Sequence, residues 1–208
     1  MSTAVQPQSN VDHTDLPYVV RAAVRLGVLE SIAVLVIGLV SKYLDGLPET
    51  LLLLLLVPAA ILAVSFLPGL WTRARTIEGI AGAAGIGLAA TVVFMAVDVS
   101  LFQPFGLYTH RWRDLGGGSN WWYHPVWWMV GTYLPWMGGW ILAGRAGGGS
   151  PNVGAAIGSV IGAAVLCTAA AVLLHFPGAS WGEDTFGGAF LPGWAVATGA
   201  AVLGARRE

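Results

Sequence analysis

The sequence predicts an all-α, polytopic integral membrane protein, a bundle of six transmembrane helices with the N- and C-termini both cytoplasmic. Three observations carry that prediction. Of 208 residues, 56% are hydrophobic and only 10% charged, with a mean hydropathy of +0.70. An ordinary soluble domain carries about 25% charged residues and could not hide this much apolar surface. The apolar residues also gather into six segments, each near the roughly 20 residues that cross a hydrocarbon core. Finally, the basic residues divide unevenly between the two sides that those segments define.

Residues 1–16 form a polar tail with Asp12 and Asp15 and no cluster of positive charge. This tail is expected to be disordered, with the first helix retained as an anchor instead of being cleaved as a signal peptide. Residues 17–208 then make a single transmembrane domain. Its first span is Val24–Tyr43, and its second is Leu51–Trp71, which Pro58 should bend. The third, Ile77–Phe102, ends in the run AVDVSLF. The fourth, Pro125–Ala143, has Pro125 suited to its first turn and Pro135 inside it, where a kink is expected. The fifth, Val153–Phe176, is rich in glycine and alanine. The sixth, Phe186–Ala205, is short and contains Pro192. A five-span arrangement with this last segment at the interface is the alternative, and it would move the C-terminus to the other side.

Six spans place Arg21, Arg25, Arg73, Arg75, Arg145, Arg206 and Arg207 on one side and only Lys42, Arg111 and Arg113 on the other. That bias predicts a multi-pass protein of the cell inner (cytoplasmic) membrane. The preference for arginine, alanine and glycine suggests a GC-rich bacterial or archaeal genome. The net charge of −1 offers no basic face to nucleic acid. The loops RDLGGGSN and GRAGGGSPN lack the strand and helix that frame a phosphate loop, so no nucleotide is expected. The longest loop has about 22 residues, so activity must reside in the bilayer or at its rim.

Between membrane helices, close backbone approach through small residues replaces most of the hydrophobic drive. Gly154, Gly158 and Gly162 repeat every four residues in the fifth span, and Gly79, Ala83 and Gly87 do so in the third. Both faces are candidates for tight contacts, within the chain in preference to a dimer. The lone Cys167 lies in an apolar run and is read as a packing residue.

Seven of the ten tryptophans lie between Trp112 and Trp140. Trp121, Trp122, Trp127 and Trp128 fit an outer interfacial girdle. Trp136 is different, since it falls about 17 Å below Pro125 at the helical rise. Trp128, Thr132, Trp136 and Trp140 share one helix face. That face would fill the space beside glycine-lined spans, or offer a stacking wall to a partner subunit or to a bound lipid, quinone or pigment.

Two acids fall inside spans, Glu30 and Asp98. Buried acids in a membrane usually face a cavity or a partner. Glu30 is expected to pair with Arg25 or Arg73. For Asp98, the expected partners are Arg111, Arg113 or a histidine. Asp98, His110, His124 and His175 all map to the outer side, with Asp114, Glu183 and Asp184. Together, Asp98, His124 and His175 are candidates for an ion, proton or metal site, although no paired-histidine motif enforces it. The ordinary alternative is helix-end histidines and solvated loop carboxylates. Four histidines are too few for an iron-dependent desaturase, and no embedded Ser–His pair suggests an intramembrane protease.

These features point to a non-enzymatic integral membrane subunit packed into a larger complex of respiratory or photosynthetic type. Its partners would be membrane lipids and other membrane subunits, with Trp128, Trp136 and Trp140 in contact; no particular cofactor is specified. The alternative is a small transporter or channel with Asp98 and the outer histidines and carboxylates on an ion or proton path. A metal-dependent membrane enzyme is the third reading.

Overall fold

The computed structural model describes residues 14–108, 123–146 and 150–205. The chain is all-helical, with no strand among the described residues. Helix α1 (Leu16–Tyr43) starts where the Asp15 carboxylate accepts a hydrogen bond from the Tyr18 N–H at 3.1 Å, with Pro17 in the first turn. The cap extends α1 two turns before the expected Val24 boundary, so Arg21 as well as Arg25 lies within the helix. Gly46, at φ +70°, turns the chain into α2 (Leu47–Trp71). That helix ends on a left-handed residue, Arg73 at φ 51°, beyond which the Ala74 N–H donates to Gly69 O at 2.9 Å.

Helix α3 (Ile77–Val97) runs on through a π-helical turn, Asp98–Phe102, where the Gln103 N–H donates to Asp98 O five residues back at 2.9 Å. Helix α4 spans Tyr123–Gly144. Helix α5 (Val153–Leu173) is capped by Asn152, whose side chain accepts from the Ala155 N–H at 2.9 Å. Helix α6 (Glu183–Ala205) continues through Pro192.

Close contacts give the helix directions. Tyr18 Oη donates to Trp71 O at 2.9 Å, so α1 and α2 are antiparallel. Gly27 meets Ala90 and Val93, and Gly38 meets Leu107, so α1 and the α3 segment rise together. Gly69 lies against Gly139 and Leu142, and Gly144 lies against Ala201; α2, α4 and α6 therefore run alongside one another. One end of the bundle, here the proximal end, carries the starts of α1, α3 and α5. The distal end carries the α1–α2 turn, Asp98, the start of α4 and the α5–α6 turn.

Helix α4 is the hub. Its backbone packs on α2, α3 and α6, and it borders α5, whose main contact is α6. Glycines allow this crowding: a Cβ at Gly131 would overlap Thr91 Oγ1, and one at Gly138 would overlap the Ser65 carbonyl oxygen. Around α4 and α6 the main core gathers Phe66, Leu134, Ile141, Val160, Phe190 and Trp194. The shell is apolar as well, with Leu51, Leu54, Leu55, Leu166 and Leu203 exposed. A soluble bundle would carry charge on that face.

Five helices are long and apolar enough to cross a membrane: α1, α2, α3 with its π turn, α5 and α6. The doubtful sixth segment of the sequence is among them, over Thr185–Gly204. The fourth is the helix that falls short of that measure, because Trp, Tyr, Gly and Pro occupy many of its positions. Its central packing fits that composition, since much of its surface meets protein.

Candidate functional site

Two regions stand out, the Asp98 turn and the outward face of α4. Asp98 is fully buried at the start of the π-helical turn. The Tyr108 hydroxyl donates to its Oδ1, and Gln103 Nε2 donates to its Oδ2 at 2.7 Å. These two neutral donors orient the carboxylate and take up a lone pair on each of its oxygens. Beside it, Phe94, Met95, Phe102 and Leu107 form an apolar cluster joined by Val34 of α1 and Trp127 of α4. The Trp127 and Phe94 rings lie 4.6 Å apart. Inserted turns of this kind widen a helix and often occur where a side chain has a role.

The sequence did not point to Tyr108 and Gln103 as partners of Asp98, nor to an inward-facing Trp127. Gln103 follows Asp98 by five residues, a spacing that meets on one face only once the helix widens. Trp127 belongs to the core cluster as well as to the aromatic girdle expected for it. Of the anticipated partners of Asp98, which were Arg111, Arg113 or a histidine, Arg111, Arg113 and His110 lie outside the described residues, as do Trp121, Trp122 and Asp114. The backbone of His124 is in the first turn of α4, and its side chain is outside the described set.

His175 is placed clearly. It follows α5 in the left-handed conformation, φ 54°, and its N–H donates to Val172 O at 3.1 Å while the Phe176 N–H reaches Ala171 O at 2.9 Å. This is a helix-terminating turn, normally occupied by glycine, and the imidazole is exposed. Helix α5 is not among the helices packed on α3, so His175 and Asp98 belong to different parts of the bundle. Among the described residues, no three His, Cys, Asp or Glu side chains gather to hold a metal.

The α4 stripe points away from the bundle. Trp128 is 39% exposed, Tyr133 54% and Trp136 41%, and Trp140 is half-buried. The Tyr133, Trp136 and Trp140 rings meet edge to face, with centroids 6.5 Å apart for Tyr133–Trp136 and 6.5 Å for Trp136–Trp140. The stripe therefore does not fill space beside the glycine-lined helices. That role belongs to the opposite face of α4, where Gly131, Leu134, Pro135 and Gly138 are buried.

The candidate glycines divide. Gly87 sits beneath Gly131 and Pro135 of α4, where an added Cβ would overlap the Gly131 carbonyl; Gly79 is also buried. On α5 the structure departs from intrachain packing: a Cβ at Gly158 or Gly162 meets nothing within 4 Å, and one at Gly154 meets only Asn152 of its own cap. Helix α5 instead uses Ala156, Val160, Ala163 and Ala164 toward the core, and the close approach to α6 comes from Gly193. Cys167 is partly buried on the same helix.

Glu30 also departs from expectation. It is buried, and among the described residues its carboxyl has no hydrogen-bond or ion-pair partner. Arg25 and Arg73 are both exposed and do not pair with it. No protein-family model, curated protein or solved structure matches the chain.

Proposed function

We propose that this chain is a non-enzymatic integral membrane subunit that packs into a larger membrane complex through the outward face of α4. One observation carries the reading: Trp128, Tyr133 and Trp136 are exposed large aromatics on α4, with Tyr133, Trp136 and Trp140 in ring contact. Trp136 is 13 residues into α4, about 20 Å along its axis, whereas lipid-facing tryptophan normally stays near the interface. Large, rigid rings with a polar N–H are favoured where one protein surface meets another. Helix α5 adds an open row of small residues at Gly154, Gly158 and Gly162, on which another helix could lie. In this reading all six helices cross the inner membrane, with both termini cytoplasmic and the distal end outside.

The test is a pair of measurements on protein taken from its native membrane in mild detergent. Trp136→Ala with Trp140→Ala should leave the chain's thermal midpoint nearly unchanged and release it from an assembly larger than a monomer. A wild-type chain that is monomeric in native-lipid discs overturns the proposal.

The buried Asp98 in its π-helical turn favours a second reading, a small transporter or channel with Asp98 on an ion or proton path. Loss of flux from loaded liposomes in Asp98→Asn, with the fold intact, supports it. Unchanged flux, or no flux in the wild type, rejects it.

A further inference from the structure

Glu30 occupies the middle of α1, 14 residues from Leu16 and 13 from Tyr43, about 20 Å from either end at the helical rise. It is 8% exposed, with no partner for its carboxyl among the described residues. One turn below it, Gly27 lets α3 approach so closely that a Cβ there would lie 2.6 Å from Val93 Cβ and 2.7 Å from Ala90 O. One turn above it, Val34 joins the apolar cluster beside the Asp98 turn. Glu30 thus lies in the α1–α3 layer between the close Gly27 contact and the buried Asp98.

Among the described residues, the surroundings supply no countercharge. Helix α1 packs on α2 and α3. Helix α2 has a single ionisable residue, Glu49 at its distal end, and α3 has none between Glu78 and Asp98. On α1 itself the neighbouring ionisable groups are Arg25, which is exposed, and Lys42, whose Nζ donates to Gly106 O at 2.7 Å. Nearby hydroxyls are engaged on their own helices: Ser31 Oγ donates to Gly27 O at 2.7 Å, and Thr91 Oγ1 donates to Gly87 O at 3.0 Å. An ionised carboxylate without cation or donor is strongly disfavoured in such a medium, and taking up a proton removes that penalty.

We infer that Glu30 is a proton-binding site at mid-membrane depth, its carboxyl carrying a proton in the folded chain and exchanging it through the α1–α3 interface. The step is a simple association, with the carboxylate gaining a proton and no other bond changing. This inference is independent of the subunit reading, because it concerns a group on α1, whereas the aromatic face belongs to α4.

The experiment uses the full chain in phosphatidylcholine vesicles, treated with dicyclohexylcarbodiimide, a membrane-soluble reagent that adds across a protonated carboxylic acid. At pH 7 the peptide containing Glu30 should gain the mass of one reagent molecule. The gain should decline when the pH is raised, and it should be absent from Glu30→Gln. A water-soluble carbodiimide at the same pH should leave Glu30 unmodified. Failure to modify Glu30 between pH 5 and 7 in folded protein would overturn the inference. Thermal unfolding gives an independent reading: Glu30→Gln, which resembles the protonated acid, should leave the midpoint unchanged. A marked fall would show an ionised carboxylate held by a partner, and that also overturns it.

Discussion

Tyr108 closes the distal end of α3 by donating its hydroxyl to the carboxylate of Asp98 across the turn that follows the π-helical segment. The bond ties residue 108 back to a fully buried acid, so its loss is felt inside the bundle. Removing one partner of a buried hydrogen bond costs about 1–3 kcal/mol. Tyr108→Phe should therefore lower stability by roughly that amount, and Asp98→Ala by more, because it also strands Gln103 Nε2. Thermal unfolding in detergent checks the order; equal stability of all three proteins would show the bond to be inconsequential.

The α2–α4 contact should tolerate no added methyl. Gly138→Ala would drive a Cβ into the Ser65 carbonyl, which is backbone and cannot step aside. Overpacking of this kind costs about 1–3 kcal/mol. Gly158→Ala enters open space and should change the isolated chain by less than about 0.5 kcal/mol. The comparison needs only the two midpoints. A costly Gly158→Ala in the monomer would contradict the open face described for α5.

Trp194 is fully buried with its ring 5.0 Å from that of Phe66, yet its indole N–H has no acceptor among the described residues. Trp194→Ala should cost about 3–5 kcal/mol through the cavity it leaves. Trp194→Phe keeps an aromatic ring against Phe66 and removes the unsatisfied donor. Its cost should fall clearly below that of Trp194→Ala, because the cavity is smaller and no donor is left unsatisfied. Equal losses from the two variants would show that the N–H is satisfied after all.

His175 should behave as a helix stop. An L-residue in the left-handed region is disfavoured by about 1–2 kcal/mol, a strain that glycine does not feel. His175→Gly is expected to raise stability by up to about 1 kcal/mol and leave any flux or assembly unaltered. Destabilisation by that change would instead reveal a native contact of the imidazole.

Much of the fold is legible in the sequence. Six apolar segments correspond to six helices, because hydrophobic length is a property each segment carries alone. Even the missed start of α1 had a signal in Asp15 and Pro17, outweighed by Arg21 and Arg25 in the hydropathy pattern. Facing directions were not legible. The glycine repeat of α5 and the glycines of α4 look alike as spacing, yet one row is open and the other is locked against Thr91 and Ser65. Which row becomes an interface depends on the neighbouring helix, and nothing local encodes that. The four-residue spacing of Trp128, Trp136 and Trp140 likewise groups them without saying whether the group looks inward. Asp98 was legible as an unusual acid. Its donors were hidden because a π-helical turn breaks the spacing on which such readings depend.

The central position of α4 has a consequence for how the chain is put together. Helices α1, α2 and α3 pack on one another, so they can associate as soon as the third has entered the membrane. The α5–α6 hairpin gains its main backbone support from α4, to which Trp194 of α6 adds a ring against Phe66 of α2. Synthesis from the N-terminus therefore delivers the parts in the order of their dependence: a self-supporting triplet, then the helix that completes its groove, then a hairpin whose seat already exists. A chain arrested after α3 would keep its mutual contacts, whereas one deprived of α4 alone would leave its last two helices paired with each other and held to α2 by little more than the Trp194–Phe66 contact.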